Sequence, residues 1–196
     1  MKIRVLLAGV LLLASTASAF AAGPYIGVAG GVSIVHDSDD TIPGFYKDTI
    51  GYDTGYGFNL SAGYSFDGFR LEGEYGYKTA DVKDISGYSV SGVDASFNSF
   101  MVNGYYDIKT NSAATPFIGA GLGLINGEVD FDGYGYTVDD TVLGYQLMAG
   151  VGFDLNKNVT LDVSYRLQGA ASDFEKDGEK ISYLSSNFYG GIRYKF

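Results

Sequence analysis

The sequence predicts an all-β fold, an eight-stranded antiparallel up-and-down transmembrane β-barrel, on three observations. Apolar and polar residues alternate with period two through eight segments. The connections between those segments alternate between short and long. Tyr and Phe gather towards both ends of the apolar face, with Leu, Val and Ala between them. Period-two alternation marks strands whose two faces meet different environments. Alternating connection lengths mark a meander with one plain end and one elaborated end.

Composition narrows the function. The chain has 196 residues, a length that suits one domain. With 29 Gly, 17 Tyr, 13 Phe and only 3 Pro it is neither disordered nor collagen-like. It has no cysteine, which excludes a disulfide scaffold, a thiolate zinc site, haem attachment and a Cys nucleophile. His36 is the single histidine, so a multi-histidine metal site is excluded. The net charge of −10 argues against nucleic-acid binding. No cofactor is expected.

Residues 1–21 read as a signal peptide, with 22–196 as the barrel domain. Lys2 and Arg4 open it, and a ten-residue apolar run, 5–14, follows. That run is right for an export signal and too short to span a bilayer as a helix. Ala19-Phe20-Ala21 offers a small-x-small cleavage site before Ala22, and Ala17-Ser18-Ala19 is a second one. Neither site precedes a cysteine, so no lipoprotein anchor is expected.

The eight segments follow in order. Residues 25–35 set Ile26, Val28, Val32 and Ile34 against Gly27, Ala29, Gly31 and Ser33. Residues 56–66 set Phe58, Leu60, Ala62, Tyr64 and Phe66 against Gly57, Asn59, Ser61, Gly63 and Ser65. In 69–79, Phe69, Leu71, Gly73, Tyr75 and Tyr77 oppose Arg70, Glu72, Glu74, Gly76 and Lys78. In 97–108, Phe100, Val102, Tyr106 and Ile108 oppose Met101, Asn103, Tyr105 and Asp107. Residues 117–125 set Ile118, Ala120, Leu122 and Leu124 against Phe117, Gly119, Gly121 and Gly123. Residues 143–155 set Leu143, Tyr145, Leu147, Ala149, Val151, Phe153 and Leu155 against Gly144, Gln146, Met148, Gly150, Gly152 and Asp154. In 159–168, Val159, Leu161, Val163, Tyr165 and Leu167 oppose Thr160, Asp162, Ser164, Arg166 and Gln168. In 186–196, Phe188, Ile192, Tyr194 and Phe196 oppose Asn187, Tyr189, Gly191, Arg193 and Lys195. Tilted membrane strands need about 9–11 residues, against about 5–6 in ordinary sheets.

Three connections are short: Asp67-Gly68, 109–115 and 156–158. Four are long: 36–55, 80–95, 126–141 and 169–184. A soluble barrel would turn its apolar face inward. Here that face carries too many large side chains for an eight-stranded lumen, which is only just wide enough to be filled. The other face is rich in Gly, which suits a crowded interior. Two aromatic belts around an aliphatic band fit two membrane interfaces. Phe66, Phe69, Tyr106, Phe153, Tyr194 and Phe196 mark the short-turn end. Phe58, Tyr75, Tyr77, Phe100, Tyr145 and Phe188 mark the long-loop end.

The terminal Gly191-Ile192-Arg193-Tyr194-Lys195-Phe196 resembles the Gly-x-x-aromatic-x-Phe ending of small bacterial outer-membrane barrels. Residues 103–108 (Asn-Gly-Tyr-Tyr-Asp-Ile) and 115–121 (Thr-Pro-Phe-Ile-Gly-Ala-Gly) are similar to stretches common in that family. The family includes the OmpA transmembrane domain, OmpX and the Opa-like surface antigens, and the resemblance covers nearly all of 22–196. It implies the bacterial outer membrane, surface-exposed loops, and recognition of Gly191, Tyr194 and Phe196 by the barrel assembly machinery. It implies no single activity, since members include anchors, adhesins, enzymes and narrow channels. No periplasmic peptidoglycan-binding domain of the OmpA kind is expected.

The inward set carries Arg70, Lys78, Arg166, Arg193 and Lys195 against Glu72, Glu74, Asp107, Asp154 and Asp162. Buried charges must be paired and hydrogen-bonded. This balance fits a self-neutralising plug, or a gated narrow conduit in which Glu72 or Glu74 exchange partners among Arg70, Arg166 and Arg193. A wide porin is excluded by strand number.

The four long connections carry 17 acidic and 4 basic residues. They read as a solvated acidic cap, or as a surface that bridges to lipopolysaccharide phosphates through divalent cations. Asp173-x-Glu175-x-Asp177-Gly178 resembles half of a calcium loop, but Leu184 stands where the twelfth-position carboxylate belongs. Tyr46, Tyr52, Tyr88, Tyr134 and Tyr136 suit contacts with a partner. His36 lies near Ser33, Asp37 and Ser38 without a nucleophile motif. Gly119-x-Gly121-x-Gly123 lacks the ending of a phosphate loop. The expected function is therefore non-enzymatic: envelope structure, or adhesion and recognition through acidic loops, by a monomer. Outer-membrane lipids, lipopolysaccharide and a host or neighbouring-cell surface ligand are the expected partners. A gated channel is the alternative, and a lipid-modifying enzyme the third reading.

Overall fold

The computed structural model describes residues 23–36, 38–40, 48–52, 54–85, 88–89, 93–131, 136–171, 174–176, 179–181 and 183–196. The expected leader lies outside them, as do Asp37, Tyr46, Tyr134 and most of the 173–178 spacing. The eight long strands are β1 (Gly23–Val35), β2 (Gly55–Ser65), β3 (Phe69–Ile85), β4 (Val93–Asp107), β5 (Ala114–Phe131), β6 (Tyr136–Asp154), β7 (Val159–Ala170) and β8 (Leu184–Lys195). Each pairs antiparallel with the next. β8 then pairs with β1 and closes the barrel. No helix occurs among the described residues.

The registers fix the barrel's geometry. Pro24 lies opposite Tyr64, then Leu71, Gly104, Ala120, Leu147, Leu167 and Ser186 follow in turn. Ser186 pairs with Ile34, so one circuit advances from position 24 to position 34, a stagger of ten. Such a stagger tilts eight strands by about 40° from the barrel axis.

The apolar face points outward. Val28, Leu60, Val102, Leu122, Leu147, Val163 and Ile192 are all exposed on the wall, while Ser33, Asn59, Asn103, Gln146 and Asn187 are buried inside. Tyr56 on β2 and Phe66 just after it bracket this band, about 33 Å apart along the strand and about 25 Å in height after tilt, the depth of a membrane's apolar layer. Neighbouring rings touch within each belt. At the turn end, Phe69 stacks on Tyr106 and Tyr64 on Phe66, each at 5.0 Å between ring centroids. At the loop end, Tyr75 meets Phe100 at 5.1 Å and Tyr165 meets Phe188 at 5.2 Å.

Two tight turns have clear local causes. Gly68 holds φ at 85°, and the Phe66 N–H donates to the Phe69 carbonyl at 2.6 Å. Gly68→Ala is expected to cost about 1–2 kcal/mol, because L side chains disfavour positive φ. A lowered urea midpoint would check it. After β6, Asn156 Oδ1 accepts from the backbone N–H groups of Asn158 and Val159, both at 2.9 Å. That is an Asx-type turn.

The expected loop bounds need correction. The strands predicted at 69–79, 97–108, 117–125 and 143–155 are longer: β3 runs 17 residues, β4 15, β5 18 and β6 19. Much of 80–95 and 126–141 is therefore strand rather than loop. The pairing continues to Asp81 opposite Asp94 and to Phe131 opposite Tyr136. Backbone pairing does not stop at the membrane surface. Beyond the aliphatic band one set of alternate positions stays apolar (Val93, Ala95 and Phe97; Ile125, Val129 and Phe131), while the set that was apolar in the membrane turns polar (Asp94 and Ser96; Asn126, Glu128 and Asp130) and the ladder persists.

Candidate functional site

The lumen is layered along β3, whose inward positions are Arg70, Glu72, Glu74, Gly76 and Lys78. At the turn end, the Arg70 guanidinium donates to both oxygens of Asp107, from Nε at 3.0 and 2.9 Å and from Nη2 at 2.8 Å. It also lies 4.3 Å from the centroid of the Tyr105 ring. Nearby, Arg193 donates to Asp162 at 3.0 Å. One level up, Glu72 accepts from the hydroxyls of Tyr25 and Tyr105, both at 3.0 Å, and from Asn103 at 3.4 Å. Glu74 pairs with Arg166 and accepts from Gln146 at 3.1 Å. Multiple donors on each carboxylate offset the desolvation of a buried ion.

Lys78 departs from the expected pairing. Its ammonium donates to Gln168 at 2.7 Å and Ser185 at 3.3 Å, both neutral. Asp154 also departs from it: it stands exposed at the turn end, accepting from Thr160 at 2.7 Å, and is not part of the buried network. The other expected lumen residues come together as three ion pairs, Arg70–Asp107, Arg166–Glu74 and Arg193–Asp162, with Glu72 held by tyrosines instead of an arginine. Lys195 lies half-buried on β8.

Above Lys78 the lumen becomes apolar. Val35, Phe97, Ile125, Val142 and Tyr183 pack as one buried cluster, with Ala170 against it. Phe97 and Tyr183 lie 4.7 Å apart by ring centroids. Below the cluster, the lumen leaves about 40 Å³ of free space among Asn59, Arg70, Glu72, Glu74, Ser164 and Arg166. That holds a few waters, not a solute. The apolar seal was not legible in the sequence, because its members stand at the ends of the alternating windows (Val35, Phe97 and Ile125) or outside them (Val142 and Tyr183).

His36 is placed differently from its sequence neighbourhood. Ser33 is fully buried on the opposite, inward face of β1. The His36 ring instead shares a hydrogen bond from Nε2 to Ser186 Oγ, at 2.8 Å across the β1–β8 seam. Ser186 Oγ also bonds the Tyr165 hydroxyl at 3.0 Å.

A closed antiparallel barrel with an apolar outer wall, two aromatic belts and a charged core is a membrane-spanning β-barrel. The chain belongs to the outer membrane protein beta-barrel domain family, whose model matches residues 5–196, and its place is the bacterial outer membrane. Its sequence is similar to outer membrane protein PagN of Salmonella typhimurium, 31% identical over 101 residues. That match covers 47% of this chain and 38% of PagN, so it spans well under half of the relative. The fold is similar to Neisserial surface protein A, with a TM-score of 0.66 at 23% identity, covering 89% of this chain and 99% of that one. It is also similar to Ail, the attachment invasion locus protein of Yersinia pestis, solved with the heparin analogue sucrose octasulfate. There the TM-score is 0.50 at 18% identity, covering 89% of this chain and 99% of that one.

Proposed function

We propose that the protein is a surface recognition barrel, exported through a cleaved leader in 1–21, whose acidic rim engages cationic groups on a host or neighbouring surface. One observation carries this: the β5–β6 hairpin keeps its register seven residues beyond the Leu124–Leu143 pair, to Phe131 opposite Tyr136. That extension is about 23 Å along the strand, so it carries the paired backbone well beyond the aliphatic band. Acidic residues stand in rows across this hairpin and the neighbouring β3–β4 ladder. Asp81, Asp94 and Asp130 are successive cross-strand partners on β3, β4 and β5, and Glu128 is opposite Asp139. Like charges directly opposite each other cost stability. A rim kept at that cost is suited to binding cations, as lysine-rich surfaces or as divalent ions bridging to lipopolysaccharide.

The charge also separates this chain from a sulfate binder. Ail was solved with a polysulfated ligand, whereas an acidic rim repels one. The sealed lumen speaks against conduction. Gly191, Tyr194 and Phe196 take the role of assembly signal in this proposal, on the strand that closes the barrel.

The test is adhesion of cells displaying the protein to lysine-coated and heparin-coated surfaces. A variant carrying Glu128→Gln, Asp130→Asn, Asp139→Asn and Asp140→Asn is expected to lose about tenfold of its lysine-surface binding, and the wild type to ignore heparin. Unchanged adhesion of the neutralised variant would refute the proposal.

A further inference from the structure

Beyond the aliphatic band, β6 is paired on one side only. Its residues 136–143 pair with β5, from Phe131 opposite Tyr136 to Leu124 opposite Leu143. On the other side, pairing with β7 starts at Gly144 opposite Ala170. One more bond follows, from the Ala171 N–H to the Leu143 carbonyl at 2.7 Å. Past it, no strand pairs with this side of β6 among the described residues. The short strand Phe174–Lys176 pairs with Glu179–Ile181 instead.

That last bond also fixes which groups face the open edge. A strand residue sends its N–H and C=O to the same side, and consecutive residues alternate. The Leu143 carbonyl points towards β7, so the backbone groups of Thr141, Asp139 and Thr137 do too. Even positions face β5: the Asp154 N–H donates to the Ala113 carbonyl at 3.0 Å, and the Asp140 carbonyl accepts from Asn126 at 3.2 Å. The β5–β6 register runs without a shift, so the parity holds throughout. One edge donor is taken, since Asp140 Oδ1 accepts from the Thr141 N–H at 2.7 Å. The N–H and C=O of Thr137 and of Asp139, and the Thr141 carbonyl, are left in a row about 14 Å long.

Such a row is a template for another chain, and an extended peptide gains main-chain hydrogen bonds there whatever its sequence. Charge does the selecting. Residues 126–142 hold five acidic side chains and no Lys or Arg. Asp139 and Asp140 are consecutive and so belong to opposite faces of the strand. Glu128 and Asp130 stand one strand away, opposite Asp139 and Thr137. A second copy of this edge would set carboxylate against carboxylate, which costs stability.

We propose that the edge of β6 at residues 137–141 accepts an extended, lysine-bearing segment of a partner protein as an added strand. Main-chain bonds to Thr137, Asp139 and Thr141 hold the segment, and the surrounding carboxylates choose basic sequences. The choice of a basic partner rests on the acidic-rim reading above; the strand pairing does not.

The test is fluorescence anisotropy with the full chain in phosphatidylcholine nanodiscs and a labelled short peptide of alternating Lys and Thr. A second peptide of the same sequence is N-methylated at its central Lys and Thr residues, which removes donors from both of its edges at unchanged charge. The unmodified peptide is expected to bind at least about tenfold more tightly. Thr137→Pro removes one edge donor, leaves the bonds to β5 and is expected to weaken binding severalfold. Asp139→Asn is expected to reduce the preference for the lysine peptide over one with Gln in place of Lys. Equal binding of the two lysine peptides overturns strand addition, even where adhesion to lysine-coated surfaces persists and the acidic-rim reading stands. Wild-type affinity in Thr137→Pro overturns the placement on β6. A barrel dimer that Thr137→Pro abolishes assigns the edge to a second copy and also overturns the proposal.

Discussion

Arg166→Ala is expected to destabilise the barrel by about 3–5 kcal/mol, because it strands Glu74 as a buried charge without its partner. Glu74 is 5% exposed, and Gln146 would remain as its one hydrogen-bond donor. The same change removes the guanidinium from above the Tyr189 ring, where it lies 5.5 Å from the centroid. Adding Glu74→Gln in an Arg166→Met background removes both charges and is expected to recover most of the loss, since replacing a buried pair by groups of similar volume is often near neutral. Urea titration followed by the gel shift between folded and unfolded forms checks both. A single variant as stable as the wild type would mean that water reaches Glu74 and the plug is not closed. A partner-exchanging gate, by contrast, would tolerate loss of Arg166 by moving Glu74 to Arg70 or Arg193.

Gly31→Val and Gly104→Val are expected to give opposite results, although both replace a mid-strand glycine. Gly31 is inward, and a Cβ there would collide with the backbone carbonyl of Phe188 and the Tyr189 ring. Those atoms belong to the paired strand β8 and cannot retreat without opening the seam that closes the barrel. Loss of the folded, heat-modifiable form is the expected outcome. Gly104 points outward with nothing within 4 Å. Valine there adds apolar surface against lipid and restricts the unfolded chain, which is expected to stabilise by about 0.4–1 kcal/mol. A folded Gly31→Val barrel would show that the β1–β8 contact is looser than its geometry.

Most of the fold was legible because a membrane barrel writes its topology as parity. Ile26, Leu60, Leu71, Val102 and Ile118 declare the lipid face, and Glu72, Asn103 and Arg166 the lumen. Parity says which face a residue takes, but not its partner. It placed Glu72 among the arginines, whereas Tyr25 and Tyr105 hold it. It could not pair His36 with Ser186, 150 positions away, because that contact exists only once β8 closes on β1. The extended ladders of β3 to β6 were missed for another reason. The positions that are apolar within the membrane turn acidic there, at Glu128, Asp130 and Asp139, while the apolar residues fall on the other set, Val129, Phe131 and Val138, so these segments read as loop until their registers are known.

The apolar cluster of Val35, Phe97, Ile125, Val142 and Tyr183 has a consequence for the cell as a whole. A barrel is a perforation waiting to happen, and its permeability cost is multiplied by the number of copies. With its bore stoppered by hydrocarbon, each molecule is expected to add strands to the membrane with little leak, which near-zero conductance in a planar bilayer would check. On that expectation, copy number is not held down by the barrier the membrane must keep.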